Sequence, residues 1–290
     1  MLPSQIGPGG NDHVPVLSLD EPIGVVFVAG TSWYDLAHNG TAGKMIEVDD
    51  SDYVHLVWTK GMDNANTNRY VYYNLWNPNT EAMESADGSR IDTVLSTRSG
   101  FFSLAVLNGG WAFPAFHEIL PAAGVPHAAA GMSLMARVLN FGVTEPAYLN
   151  NRQLIWPKIA VGRDSVVHMV STENAVPYPV FYSRGLANWT SRTVQWQDVG
   201  GAQFLQVGSS GYVSADVAAG HEFNRVAIVW TDYRPGGTQN TFNQDVFYRL
   251  SDDGGLTWGE PFNLSQFTVQ DTHRAFADVS VIFDDEDFLH

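Results

Sequence analysis

Five short apolar stretches of this chain end in the same way, and their spacing limits what the chain can fold into. They are residues 44–48 (KMIEV), 102–106 (FSLAV), 158–161 (KIAV), 213–217 (VSADV) and 277–281 (ADVSV). Their closing valines, Val48, Val106, Val161, Val217 and Val281, stand 58, 55, 56 and 64 residues apart. A polar turn follows each stretch (49–52, 107–110, 162–165, 219–224, 284–287), and a second apolar run follows each turn (53–58, 111–117, 166–170, 225–230, 288–290). Tight polar turns between short apolar runs read as β-hairpins with buried strands.

Third strands are expected at 69–76, 132–140, 177–184 and 245–251, and fourth strands at 190–196 and 260–265. A four-stranded antiparallel unit that recurs at a near-constant period is the blade of a β-propeller. The chain is therefore expected to be all-β, a single propeller domain over 1–290. Its blades would span 40–95, 98–145, 152–197 and 211–266. Residues 274–290 would begin a further blade, for which 13–30 would supply outer strands. About five blades are visible. They form either a closed five-bladed ring or part of a six- or seven-bladed one. The 27 glycines and 14 prolines fit so many turns.

Composition removes several function classes. Lys and Arg total 15 against 31 Asp and Glu, a net charge of -16 with no basic run, so neither nucleic acid nor an anionic membrane surface is an expected partner. There is no cysteine, which excludes disulfides, thiolate metal sites and thiol catalysis. No apolar run reaches membrane-spanning length, so membrane insertion is not expected. The opening residues, MLPSQIGPGGNDHVPV, lack a basic region followed by an apolar run, so no signal peptide is expected in them. Neither a phosphate-binding glycine loop nor a histidine pair at metal-binding spacing occurs, so no cofactor and no metal is expected.

One stretch, residues 251–258 (SDDGGLTW), sits between the expected third and fourth strands of a blade. Its two carboxylates beside two glycines invite a catalytic or metal role. Local chemistry favours a folded turn. A short Ser or Asp side chain accepts bonds from backbone N–H groups just ahead of it, Gly takes positive φ, and Trp plugs a gap between sheets. The pattern Ser251, Asp253, Gly255, Thr257 and Trp258 resembles the Asp-box of sialidase-type (BNR) propellers. A shortened copy is expected at 183–189 (SRGLANW). The runs WPKIAVGRDSVVHMV and RVAIVWTDYR resemble bacterial exported proteins of that type. The resemblance implies an extracellular, cell-surface or periplasmic location, with the chain a monomer or part of a larger multidomain surface protein.

In a four-stranded blade, the first-to-second and third-to-fourth turns lie on one face. The second-to-third loops and the inter-blade links lie on the other. The long loops expected at 59–68, 118–131, 171–178 and 231–244 therefore mark the face on which binding residues are sought. Inter-blade links on that face carry His38 and Asn39, Arg98, Asn151 and Arg152, and His273 and Arg274. By resemblance, Arg98, Arg152 and Arg274 would be ligand-binding, because sialidases clamp a sugar carboxylate with three arginines and a guanidinium pairs with a carboxylate bidentately. His117 and Arg234 border the same face as further ligand-binding candidates. Asp232, Glu118 and Tyr233 are the candidates for catalysis, since paired carboxylates serve glycoside hydrolysis. Trp58, Trp76, Trp111 and Tyr233 are candidates for stacking on sugar rings.

The chain departs from the sialidase pattern. It has one full Asp-box and no Arg-Ile-Pro tripeptide ahead of an inner strand. The leading expectation is thus a non-catalytic propeller that binds glycan or protein through its long-loop face. The alternative is an exo-acting glycoside hydrolase with an arginine-lined central pocket.

Overall fold

The computed structural model describes residues 24–34, 42–65, 67–148, 152–211, 215–234, 244–268, 270–271, 273–275 and 278–290. Four antiparallel sheets follow one another along the chain. The first contains β1 (Ile46–Val48), β2 (Val54–Gly61), β3 (Arg69–Asn77), β4 (Ala82–Met83) and β5 (Ser89–Arg90), the last of which also pairs with β3. The second contains β6 (Arg98–Leu107), β7 (Trp111–Ile119), β8 (Pro126–Ser133) and β9 (Phe141–Thr144). The third contains β10 (Leu154–Val161), β11 (Val166–Glu173), β12 (Pro179–Asn188), β13 (Thr193–Gln197) and β14 (Leu205–Ser209), with β14 also on β12. The fourth contains β15 (Ala215–Ala219), β16 (Val226–Tyr233), β17 (Gln244–Ser251) and β18 (Phe262–Asn263). A fifth unit begins beyond them. Phe283 bridges Leu289, and Ile282 and His290 exchange two backbone hydrogen bonds of 3.1 and 2.9 Å.

Each sheet packs against the next blade through its buried side chains. Val57, Tyr73 and Leu75 of the first meet Phe102, Leu104 and Phe116 of the second. Phe113 and Met132 meet Ile159, Val167 and Met169 of the third. Val170 and Tyr182 meet Val217, Ile228 and Trp230 of the fourth. Ala227 and Val229 meet Val281 of the fifth unit. Each large side chain removed from water contributes about 1.5–3 kcal/mol. The inner segments of all five units line one channel of about 710 Å³, through residues 42–47, 103–106, 158–161, 216–219 and 278–283. Sheets stacked face to face around a shared axis form a β-propeller, as the repeat predicts.

Two details differ from expectation. The third strand of the second blade is β8, not 132–140, so the preceding loop shrinks to 120–125. Its PHAAAGMS sequence has little strand propensity, but Ala128, Ala129 and Ala130 are fully buried among aromatic neighbours, and packing overrides propensity. Residues 183–188, expected in a turn, are the outer half of β12, where Ser183 pairs with Met169. The turn comes later, closed by Asn188 Oδ1, which accepts from the N–H groups of Thr190 (3.0 Å) and Ser191 (3.1 Å).

Of the expected outer strands at 13–30, residues 13–23 lie outside the described residues. Residues 24–34 run against the first blade. Ala29 O accepts from Asn74 Nδ2 (2.7 Å), and Gly61 O accepts from Trp33 N–H (3.1 Å). Among the described residues, no backbone hydrogen bond joins 24–34 to 278–290.

Candidate functional site

The turn-bearing face of the ring is chemically closed. In the turn after β17, Ser251 Oγ donates to Asp253 Oδ1 (2.7 Å) and accepts from Gly255 N–H (2.8 Å). Asp253 also accepts from Leu256 N–H (3.0 Å), Thr257 N–H (2.8 Å) and Thr257 Oγ1 (2.5 Å). Burial acts to raise this carboxyl, but the bonds from Thr257, Ser251 and Leu256 outweigh it and hold it below the ordinary carboxylate range. Gly255 takes φ +83°, and a Cβ there would collide with the Tyr182 hydroxyl. Trp258 stands edge-on to Tyr182 of the preceding blade, with ring centroids 4.8 Å apart.

The first hairpin turn works in the same way. Asp49 accepts from the N–H groups of Ser51 (2.8 Å) and Tyr53 (3.2 Å), contacts His55 Nε2 (3.3 Å), and accepts from Arg137 Nε of the second blade (2.6 Å). In the fifth unit, Asp287 caps the fourth blade's turn through the N–H groups of His221 (2.9 Å) and Phe223 (2.6 Å). These carboxylates are saturated by partners that hold neighbouring blades together.

The opposite end of the channel, its mouth, is built differently. Both β6 and β10 carry a one-residue bulge where they enter the ring, between Gly100 and Ser103 and between Ile155 and Lys158. The bulged residues are aromatic and left-handed: Phe101 and Trp156 each have φ +53°. Such a backbone costs a bulky L-residue roughly 1–2 kcal/mol. Phe101 stacks on His117 (5.1 Å, 25°) and meets Trp156 edge-on (6.4 Å). The Arg69 guanidinium lies over the rings of Phe101 (4.8 Å) and Tyr34 (5.1 Å). Trp156 N–H donates to His117 Nδ1 (3.3 Å), which places the imidazole proton on Nε2. Burial first, and then the positive charges of Arg69 and Arg98, push the His117 imidazole down to about 3. His117 is therefore held in its neutral form near neutral pH.

The remaining candidates take varied places. Arg98 is exposed at the start of β6, and its charge acts on both His117 and Arg69. Arg152 donates to Glu173 Oε2 (2.8 Å) and lies over the Phe181 ring (5.0 Å). Arg274 is exposed at the entry to the fifth unit. His38, Asn39 and Asn151 lie outside the described residues.

Arg234, expected to face a ligand, is 1% exposed. It donates to the carbonyls of Thr268 (2.5 Å) and His273 (2.9 Å) and stands 3.4 Å from Asp245, so it straps the link into the fifth unit. Glu118, expected in a loop, is a fully buried residue of β7 whose carboxylate accepts from Thr93 N–H (2.9 Å) and Oγ1 (2.6 Å). Burial pushes it up to about 7, against the lowering effect of the Thr93 hydroxyl. Asp232 accepts from Ser209 Oγ (3.1 Å), and Tyr233 Oη donates to Gly211 O (2.7 Å). Burial raises the Asp232 carboxyl.

Sequence reasoning missed Phe101, Trp156 and Arg69. A signal for the first two was present. Each stands five residues ahead of its closing valine, and the fourth and fifth repeats carry Tyr212 and Phe276 at the same offset. Those two lie outside the described residues.

No protein-family model and no curated protein matches the chain. Its fold is similar to that of a protein of unknown function from Dyadobacter fermentans DSM 18053 (11% identity, TM-score 0.51, covering 83% of this chain and 71% of that one). An endo-arabinase from Bacteroides thetaiotaomicron VPI-5482 aligns at 11% identity and TM-score 0.49, over 86% of this chain and 87% of that one. The Hadza microbial sialidase Hz136 aligns at 16% identity and TM-score 0.47, over 76% of this chain and 44% of that one. At such identities what the first of these shares with the chain is the fold alone.

Proposed function

We propose that the chain binds carbohydrate at the mouth of its channel, using Trp156 as the ring on which a sugar stacks and Phe101 as the ring that supports it. The observation that carries this is the pair of bulges. Two adjacent blades break their inner strands at the same offset, and each holds an aromatic in a strained backbone there. Strain of this kind persists where the surroundings hold it in place, and it clusters at ligand sites. A flat apolar face beside polar and cationic groups suits a sugar, whose ring is apolar on its faces and polar at its rim. An extracellular, cell-surface or periplasmic location belongs to the same proposal, and fractionation of the source cells tests it.

The test for binding is tryptophan fluorescence and calorimetric titration against soluble oligosaccharides, with Phe101→Ala alongside. At least one sugar should bind, and the variant should weaken it about tenfold, which corresponds to about 1.4 kcal/mol. Absence of binding across the panel, or an unaffected variant, overturns the proposal.

A hydrolytic reading has its own observation. Asp216 and Asp278 line the same channel, and burial holds the Asp216 carboxyl above its ordinary range, as a proton donor requires. Release of the fluorophore from fluorogenic sialosides or arabinosides, abolished by Asp216→Asn, would establish it. No release from any such glycoside would remove it.

A further inference from the structure

We infer that Lys158 is the nucleophile of a second site, inside the channel, where its amine condenses with a small aldehyde. The site does not depend on sugar binding at the mouth, because the residues lining the channel include neither Phe101 nor Trp156. The chain has three lysines, Lys44, Lys60 and Lys158. Two of them are neutralised by carboxylates. Lys44 stands 2.9 Å from Glu47, and Lys60 is paired with Asp87. Lys158 forms no ion pair among the described residues. Its nitrogen donates instead to the carbonyl of Ala42 on the first blade, at 2.5 Å.

The fold delivers this amine to a cavity. Lys158 follows the bulge of β10 and lines the channel of about 710 Å³, a volume in the range of small-molecule sites. Its neighbour Ile159 is locked into the core with Phe113 and Met132, so the backbone that carries the side chain is fixed. Burial lowers the amine below the ordinary lysine range, against the opposing charges of Asp216 and Asp278 on the channel wall. The ammonium group thus gives up a proton more readily than in water, and the free amine is the form that attacks a carbonyl. A free amine keeps two N–H groups. One still serves the Ala42 carbonyl, and the lone pair is left for the incoming carbon.

In the condensation, the lone pair forms the C–N bond and the carbonyl electron pair moves to oxygen. That oxygen leaves as water with one proton from the nitrogen and one from the protonated Asp216 carboxyl, which burial holds above its ordinary range. An iminium ion and a carboxylate remain, so atoms and charge balance without an oxidant or a reductant. The remaining iminium N–H can keep the bond to Ala42.

The experiment treats the native protein at neutral pH with glyceraldehyde and cyanoborohydride, which reduces an iminium to a stable secondary amine. Peptide mass spectrometry then compares the three lysines. We expect Lys158 to be alkylated at least about tenfold faster than Lys44 or Lys60, although the Lys44 side chain is 53% exposed. The rate at Lys158 should level off as glyceraldehyde rises, because the aldehyde first occupies the channel. In urea the three lysines should react alike. A smaller ratio in the folded protein, and above all faster reaction at Lys44, overturns the assignment, since exposure alone then sets the order. A preference for Lys158 that persists in urea overturns it too, because it then belongs to the local sequence and not to the channel.

Discussion

The two ends of the channel use the same kinds of residue to opposite effect. On the turn-bearing face, charged groups are matched. Asp49 has four partners and Asp253 four more, and both carboxyls lie below their ordinary range. At the mouth, Arg69 Nε is buried without a hydrogen bond, an aromatic pair is held in a left-handed backbone, and a histidine is kept neutral. A saturated group stabilises the fold and has nothing left for a ligand. An unsaturated one is unfavourable in the empty protein and available for binding. The contrast teaches where to look: the most acidic-looking segments of this chain are its most inert.

The largest test of that contrast is Asp49→Ala. The Asp49 side chain is fully buried, and its loss leaves two backbone N–H groups without their partner, while Arg137 keeps Asp50 and His55 keeps Tyr73. Chemical denaturation should show about 1–3 kcal/mol lost, the range for buried donors left unsatisfied, with no change in ligand affinity for whatever remains folded. A loss below about 1 kcal/mol would break the comparison.

Phe101→Gly probes the other end. It removes the ring that supports Trp156 but also the left-handed strain, so binding should fall at least about tenfold while stability changes by only about 1 kcal/mol. A large loss of stability would make Phe101 a core residue.

The pH profile sharpens the picture. Glu118 is held near 7 in the fold against 4.5 as an ordinary glutamate, so the folded state binds the extra proton. Its contribution is full below about 4.5 and is lost as pH rises through 7. His117 and His168 are held near 3 against 6.5, so their contribution is present above 6.5 and is lost as pH falls toward 3. Each group changes stability by roughly 1 kcal/mol per pH unit within its window. Denaturation of Glu118→Gln from pH 5 to 8 should lack the alkaline part of the loss. A profile identical to the parent would remove Glu118 from this account.

The smallest effect is at Asp164, which has φ +56° in an exposed hairpin turn. Asp164→Gly should raise stability by roughly 0.5–1 kcal/mol and leave binding alone, since relief of left-handed strain exceeds the entropy of glycine. A drop in affinity would tie the turn-bearing face to function.

The architecture was legible because the repeat carries it. The recurring valines place β1, β6, β10, β15 and the fifth inner segment, and the acidic turns at 49–52 and 284–287 form as their chemistry demands. β8 was hidden because alanines carry little strand signal until aromatic neighbours bury them. Arg98 and His117 lie at the same end of the β6–β7 pair. Arg234 and Glu118 were misplaced because a charged residue at a strand end reads alike whether it meets solvent or a buried partner. Phe101 and Trp156 were passed over because an aromatic beside an inner strand reads as core, and a bulge leaves no mark of its own in the sequence.

Lys158 adds a last consequence. Its ammonium group spans from the third blade to the carbonyl of Ala42 on the first, at 2.5 Å. Both residues line the channel. One side chain thus ties two non-adjacent blades together across the channel, so a change at Lys158 would be felt on the first blade as well as on its own.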